Sequence, residues 1–252
     1  MALPLLVGVT RRPADPRGTH FDTLAPDYAA QLSPDARARV VARKTEITLH
    51  ALDRADVRPG ARILDVGCGH GWYLETLAQE GYKPVGVDLS LRQLRAARRS
   101  HARGLPLVVA SATALPFPPG AFAGALAVNI LHHLETEPDQ VAALRELVRA
   151  VRPECPVLIH EINTRNPLYR FYMVYVFPLL KRIDLGTERW LDARRLPVAP
   201  EATLERVDYF TFLPDFTPPI VYRLLAPVEA QLERSRAAPW SAHFSARYRV
   251  LP

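Results

Sequence analysis

The chain is 252 residues long and poor in cysteine, lysine and methionine. Its two cysteines, Cys68 and Cys155, are too few for a disulfide framework and point to a reducing compartment. Lysine occurs only as Lys44, Lys83 and Lys181, so arginine carries almost all of the positive charge. No apolar run is long enough to span a bilayer. The apolar start, residues 1–9, lacks a basic leading region and a clear cleavage site, so a signal peptide is not expected and a cytoplasmic protein is. Lys/Arg runs with interleaved aromatics are missing, so no nucleic-acid partner is expected. Repeats and low-complexity tracts are missing too. The remainder is ordinary: 48% hydrophobic and 23% charged residues, enough for a sizeable core. The net charge of +6 suits an anionic partner or a basic solvated surface.

Residues 1–20 are rich in Pro, Arg and Gly and are expected to be loose. Helical composition runs from Thr23 to about Leu52, with Pro26 and Pro34 as the expected starts. Strand and helix signals then alternate, as in a parallel α/β sheet. Ala61–Val66, Pro84–Val87, Leu105–Val109, Ala121–Val128 and Pro156–Ile162 read as strands. Trp72–Gln79, Ser90 to about Arg103, and Pro138–Ala150 read as helices, the second opened by a Ser90/Gln93 capping box. Further on come a strand-like Val207–Phe212, a helix over 220–234 and an alternating run, His243–Val250. Right-handed crossovers in such a doubly wound sheet place the ligand site at the carboxyl ends of the first strands.

The most informative stretch is Asp65-Val66-Gly67-Cys68-Gly69-His70-Gly71. A glycine turn after a strand lets a ligand approach the backbone, and the helix behind it offers free N–H groups to an anion. Asp88, at the end of the next strand, can accept hydrogen bonds from two ribose hydroxyls. The dinucleotide fingerprint needs glycine where Trp72 stands, which argues against a dehydrogenase.

Asp65-x-Gly67-x-Gly69-x-Gly71 and Val87-Asp88-Leu89-Ser90 resemble the first two motifs of class I S-adenosylmethionine (SAM)-dependent methyltransferases. Ala114-Leu115-Pro116-Phe117 and Asn129-Ile130-Leu131-His132-His133-Leu134 resemble the next two. Together they are similar to the type-11 group, related to ubiquinone and menaquinone biosynthesis methyltransferases, over roughly residues 60–162. The resemblance implies an α/β, Rossmann-like, doubly wound seven-stranded sheet of order 3-2-1-4-5-7-6 with strand 7 antiparallel. It implies a lid or helical segment over 1–52. A SAM-binding domain over 53–252 would follow, with a substrate-side insert at about 165–205. By position, Gly67, Cys68, Gly69 and Gly71 would meet the amino-acid end of SAM and Asp65 its ammonium. Asp88 would bind the ribose and Leu89 the adenine. Ser111 and Ala112 stand where the family often has an Asp–Ala pair; the Ser111 hydroxyl could accept one hydrogen bond from the adenine without a charge, and the Ala112 N–H could still serve. Asn129 would lie near the reacting methyl, and Tyr28 would close over the cofactor. The product would be S-adenosylhomocysteine (SAH).

An activated methyl needs alignment and exclusion of water rather than a metal, and no metal site is expected. A base for a hydroxyl, amine or acidic-carbon acceptor would be His132 or His133, with His160 and Glu161 as runners-up; loop shaping is the bland alternative. The apolar, aromatic stretch Leu168–Leu180 with basic flanks has three readings: a core or lid helix, a wall for an apolar acceptor, or a weak peripheral membrane contact through 168–182. The expected function is methyl transfer to an apolar or aromatic small molecule. An RNA methyltransferase and a non-catalytic SAM-binding protein are the alternatives.

Overall fold

The computed structural model describes residues 6–7, 21–23, 25, 33–171, 174–175, 188–213 and 217–252. Eight strands form one sheet. They are β1 (Leu6–Val7), β2 (Arg62–Val66), β3 (Lys83–Asp88), β4 (Leu107–Val109), β5 (Ala125–Val128), β6 (Pro156–Ile162), β7 (Ala202–Phe210) and β8 (His243–Val250). Their order is β1-β4-β3-β2-β5-β6-β8-β7. Without β1, that is the expected order 3-2-1-4-5-7-6, and β8 runs antiparallel between β6 and β7. The addition is β1, which pairs parallel with β4 through Leu6↔Val108 and Val7↔Val109, in a stretch whose composition suggested only a loose end.

The parallel strands are short apolar runs because both of their faces are covered. All seven residues of β6 are buried. On one side of the sheet, Leu64, Val66, Val87, Ala127 and Ile159 pack against Leu144 and Leu147 of a helix over Glu137–Ala150. On the other, Ile63, Leu126 and Leu158 pack against Ala51 and Leu52 of the first helix. We label the helices α1 (Pro34–Arg54), α2 (Trp72–Gln79), α3 (Leu91–Arg99), α4 (Glu137–Ala150), α5 (Pro167–Phe171) and α6 (Pro219–Glu233).

Side-chain caps fix where the long helices start. Ser33, Ser90 and Thr136 accept from Ala36 N, Gln93 N and Asp139 N, so each satisfies an N–H that has no partner within its helix. Several boundaries shift by a few residues from the expectation. The first long helix starts at Pro34, the second of its two expected starts, after a separate helical turn at 21–23. The third helix stops at Arg99, where Ala102 N turns back to Ala97 O. Strand β5 is only Ala125–Val128, with Phe122 making an isolated bridge to Val151. Strand β7 starts at Ala202, because an edge strand leaves Leu204, Glu205 and Arg206 exposed and shows no apolar run. Among the described residues no helix is long and apolar enough to cross a membrane.

Gly86 sits at the centre of the β2–β3–β4 ladder, where no side chain fits. A Cβ there would stand 2.7 Å from Leu74 Cδ1, 2.8 Å from Cys68 Sγ and 2.9 Å from Leu107 Cδ2. Gly86→Ala is expected to destabilise the fold by about 1–3 kcal/mol, read as a lower urea midpoint at unchanged m-value.

Candidate functional site

A cavity opens at the carboxyl ends of β2 to β5, bounded by Gly67, Gly69, Asp88, Ala112, Asn129 and His133. Its floor is the glycine turn. Gly67 N and Cys68 N both donate to Val87 O (2.7 and 3.0 Å), so the turn is tied to β3 as soon as it leaves β2. Gly67 (φ +74°) must be glycine, since a Cβ would lie 2.2 Å from Ile130 Cγ2. Gly69 (φ +50°) is different: its Cβ would meet nothing within 4 Å and would project into open space.

Asp88 closes the turn from the other side. Its Oδ2 accepts from Gly69 N (2.9 Å) and its Oδ1 from Ser90 N (2.8 Å), which joins the turn to the start of α3. Burial pushes its pKa up to about 6, against the pull of those two donors. Asp65 lies beneath, buried, and neither carboxylate oxygen has a hydrogen-bond partner. Burial, with the Asp88 charge adding to it, pushes Asp65 up to about 8.

Of the residues singled out by sequence, Gly67, Gly69, Asp88, Leu89, Ser111, Ala112, Asn129 and His133 line this cavity. Ser111 Oγ is engaged within its own turn, with Thr113 Oγ1 (2.9 Å) and Thr113 N (3.3 Å). Cys68 turns down among Leu74, Leu94 and Leu107. Gly71 is the left-handed cap of α2, with Ala97 and Ala102 at its back. Tyr28 lies outside the described residues.

The histidine pair splits into two environments. His133 stands on the cavity wall, edge-on to the Phe21 ring at 5.0 Å. His132 is buried behind it. Its Nδ1 donates to Glu161 Oε2 (2.6 Å), and its ring stacks on Trp190 at 4.6 Å. Glu161 Oε1 also accepts from Leu131 N (2.8 Å), so this buried carboxylate at the end of β6 holds the whole loop.

The stretch 21–28, which resembles the family's lid region, contributes Phe21 to the site, and His70 and Lys44 contribute without having been singled out by the sequence. Phe21 lines the cavity, and its neighbour Asp22 accepts from Ser90 Oγ and Arg92 N at the mouth of α3. His70 Nε2 donates to Ala25 O (3.2 Å), a second anchor for the same N-terminal segment. Lys44 of α1 is fully buried and donates through Nζ to Asn129 Oδ1 (3.0 Å). The available signal was a lysine retained in a chain that uses arginine nearly everywhere else. Among the described residues no group of three His, Cys, Asp or Glu side chains is arranged to hold a metal ion.

Residues 63–154 match the profile of the family described as "Methyltransferase domain". Over that stretch, a little over a third of the chain, the sequence is similar to methyltransferase domains. The chain is 32% identical over 145 residues to a demethylmenaquinone methyltransferase of Beutenbergia cavernae, covering 55% of this chain and 59% of that one. It is 33% identical over 133 residues to a ubiquinone biosynthesis O-methyltransferase of Alkalilimnicola ehrlichii, covering 52% and 53%. The chain thus spans a little over half the length of these curated relatives. A solved SAM-dependent methyltransferase of Thermotoga maritima superposes with a TM-score of 0.63 at 18% identity, over 92% of this chain and 99% of that one, a likeness of fold.

The domain's cavity has a built-in pH dependence. Asp65 and Asp88 hold protons in the folded, ligand-free protein up to about pH 8 and 6, whereas the unfolded chain releases them near pH 4. The folded state binds more protons across that window, so these groups make stability fall as pH rises from about 4 to 8. Chemical unfolding of the ligand-free protein between pH 5 and about 8 is expected to show this fall, flattened in Asp65→Asn.

Proposed function

We propose that the chain transfers a methyl group from SAM to a small, apolar or aromatic acceptor. The observation that carries this reading is the combination at the glycine turn: open space over Gly69, Asp88 beside it, and a buried carboxylate at Asp65 with no partner. That donor set fits a ligand with a cationic amino-acid end and a diol. Asp65 would offset its burial by pairing with the ammonium. Asp88, which spends one acceptor site of each oxygen on Gly69 and Ser90, keeps the others for the ribose hydroxyls. Leu89 and the Ala112 N–H would meet the adenine, while Ser111 contributes only its surface because its hydroxyl serves Thr113.

When bound, SAM supplies a methyl already activated on a sulfonium. The protein's part is alignment and exclusion of water. Asn129, held left-handed at the end of β5 (φ +53°) and gripped by Lys44, fixes one wall where the methyl would lie. Phe21 and His133 cover the opening. We assign His133 as the group that takes a proton from the acceptor, since it is the histidine on the wall. His132, locked by Glu161, positions it from behind, the two rings being 4.0 Å apart. The relatives named for menaquinone and ubiquinone methylation support a small apolar acceptor.

Calorimetric titration with SAH tests the cofactor half. Asp88→Ala is expected to weaken binding by at least about tenfold, since a hydrogen bond to a charged group contributes about 1.5–3 kcal/mol. Gly69→Val is expected to abolish it by filling the open space, with the thermal melt of each ligand-free variant as the folding control. Wild-type affinity in both would overturn the reading. For the acceptor half, labelled-methyl transfer to a reduced naphthoquinone serves as the probe. His133→Ala is expected to lower kcat by about 10²-fold or more at unchanged SAH affinity, and His132→Gln by less.

A further inference from the structure

Helix α6 points its aliphatic side chains away from the protein. Ile220, Leu224 and Val228 recur every fourth residue, and Val221 and Leu225 form the next column, so five aliphatic side chains share one face. Ile220 is 71%, Leu224 74% and Val228 52% exposed. The opposite face, with Tyr222, Glu229 and Glu233, turns toward α1 and β7. Polar contacts hold it there. Arg39 lies over the Tyr222 ring, Arg43 pairs with Glu233 (2.8 Å), and Glu229 Oε1 accepts from Phe212 N and Leu213 N. A helix that merely closed a core would bury the aliphatic face and expose the charged one. Here the rotation is fixed the other way, and rolling the stripe inward would break a buried carboxylate's bonds.

A second group of exposed apolar side chains adjoins the same corner. Leu168, Phe171, Val174 and Tyr175 are all more than half exposed. Asn166, at the head of α5, donates through Nδ2 to Phe212 O and Trp240 O, the backbone just before and just after α6. Trp240 is itself half exposed beneath the Arg165 guanidinium. The exposed charges on α5, on α6 and in the turn behind it are all arginine: Arg170, Arg223, Arg234 and Arg236. Both acids of α6 face inward and are engaged.

We propose that α6 is a membrane-docking helix. It lies in the surface of an anionic bilayer, with its aliphatic stripe at the acyl boundary and its arginines among the headgroups. The charge selects this occupant over a second copy of the chain. Pairing two such faces would bring the same arginines together, on chains that each carry +6, whereas anionic lipid neutralises them. The stripe is short, so binding is reversible and depends on both the apolar and the basic component. The proposal stands apart from methyl transfer.

Sedimentation of the full chain with vesicles tests it. Vesicles of phosphatidylcholine mixed with phosphatidylglycerol are expected to carry the protein down, and phosphatidylcholine alone to carry little. Raised salt should release it. Leu224→Glu is expected to lower partitioning about tenfold or more. Arg223→Gln with Arg234→Gln and Arg236→Gln is expected to abolish the preference for anionic lipid. SAH affinity unchanged in each variant shows that the fold is intact and separates this result from the cofactor reading. Failure to sediment with either vesicle would overturn the proposal. So would wild-type partitioning of Leu224→Glu, or a lipid-free dimer that Leu224→Glu dissociates.

Discussion

The cavity depends on one carboxylate. Asp88 ends β3 and receives an N–H from the turn that leaves β2 and another from the helix that follows β3. Two consecutive crossovers are thereby joined at a single side chain, and the glycine turn is held open. The parallel register sets this up: Val66 stands beside Val87, so the turn after β2 starts level with the end of β3. Val87 O then takes Gly67 N and Cys68 N, and Asp88 takes the next free donor. The same carboxylate is half-buried and carries a raised pKa, so the structural tie and the ligand-binding surface are one group. Asp22 reaches the same corner through Ser90 and Arg92, which brings the N-terminal segment under the same control.

The parallel half of the sheet was legible because its physics is local. A strand covered on both faces must be an apolar run, and a turn that approaches a ligand closely needs glycine, so Ala61–Val66 and Gly67–Gly71 announce themselves. The antiparallel half is less so. β7 is an edge whose exposed Leu204 and Arg206 flank a register shift at Glu205, and its first five residues carry no strand pattern. β1 is two residues long and owes its conformation to the open edge of β4 rather than to propensity.

Site residues divide the same way. Gly67, Gly69, Asp88 and Asn129, on the turn and at strand ends, line the cavity because the fold places them there, while Asp65, Cys68 and Gly71 of the same motif do not. The sequence could not separate His132 from His133. Neighbours in a tight turn point in different directions, and Glu161, 29 residues on, decides which one is buried. Phe21 comes from the segment whose motif resembles a lid, whereas Lys44 comes from the helix before β2, and its reach into the site is a tertiary fact with no sequence spacing behind it.

Buried polarity at the ends of β5 and β6 follows from that reach. Thr48 donates its one hydroxyl proton to Lys44 O (2.8 Å), so at 3.0 Å it can only accept from His160 Nε2. His160 is therefore neutral with its proton on Nε2. Burial and the Lys44 charge both drive its pKa well below the usual range, and its Nδ1 is left without a partner. A protonated His160 would set a second positive charge beside Lys44 in a dry interior, so the neutral ring is what lets the lysine be buried there. The positive charge reaches the cavity through the Lys44–Asn129 hydrogen bond. That bond fixes the amide oxygen against Nζ and leaves the amide N–H groups of Asn129 as the polarity this wall presents.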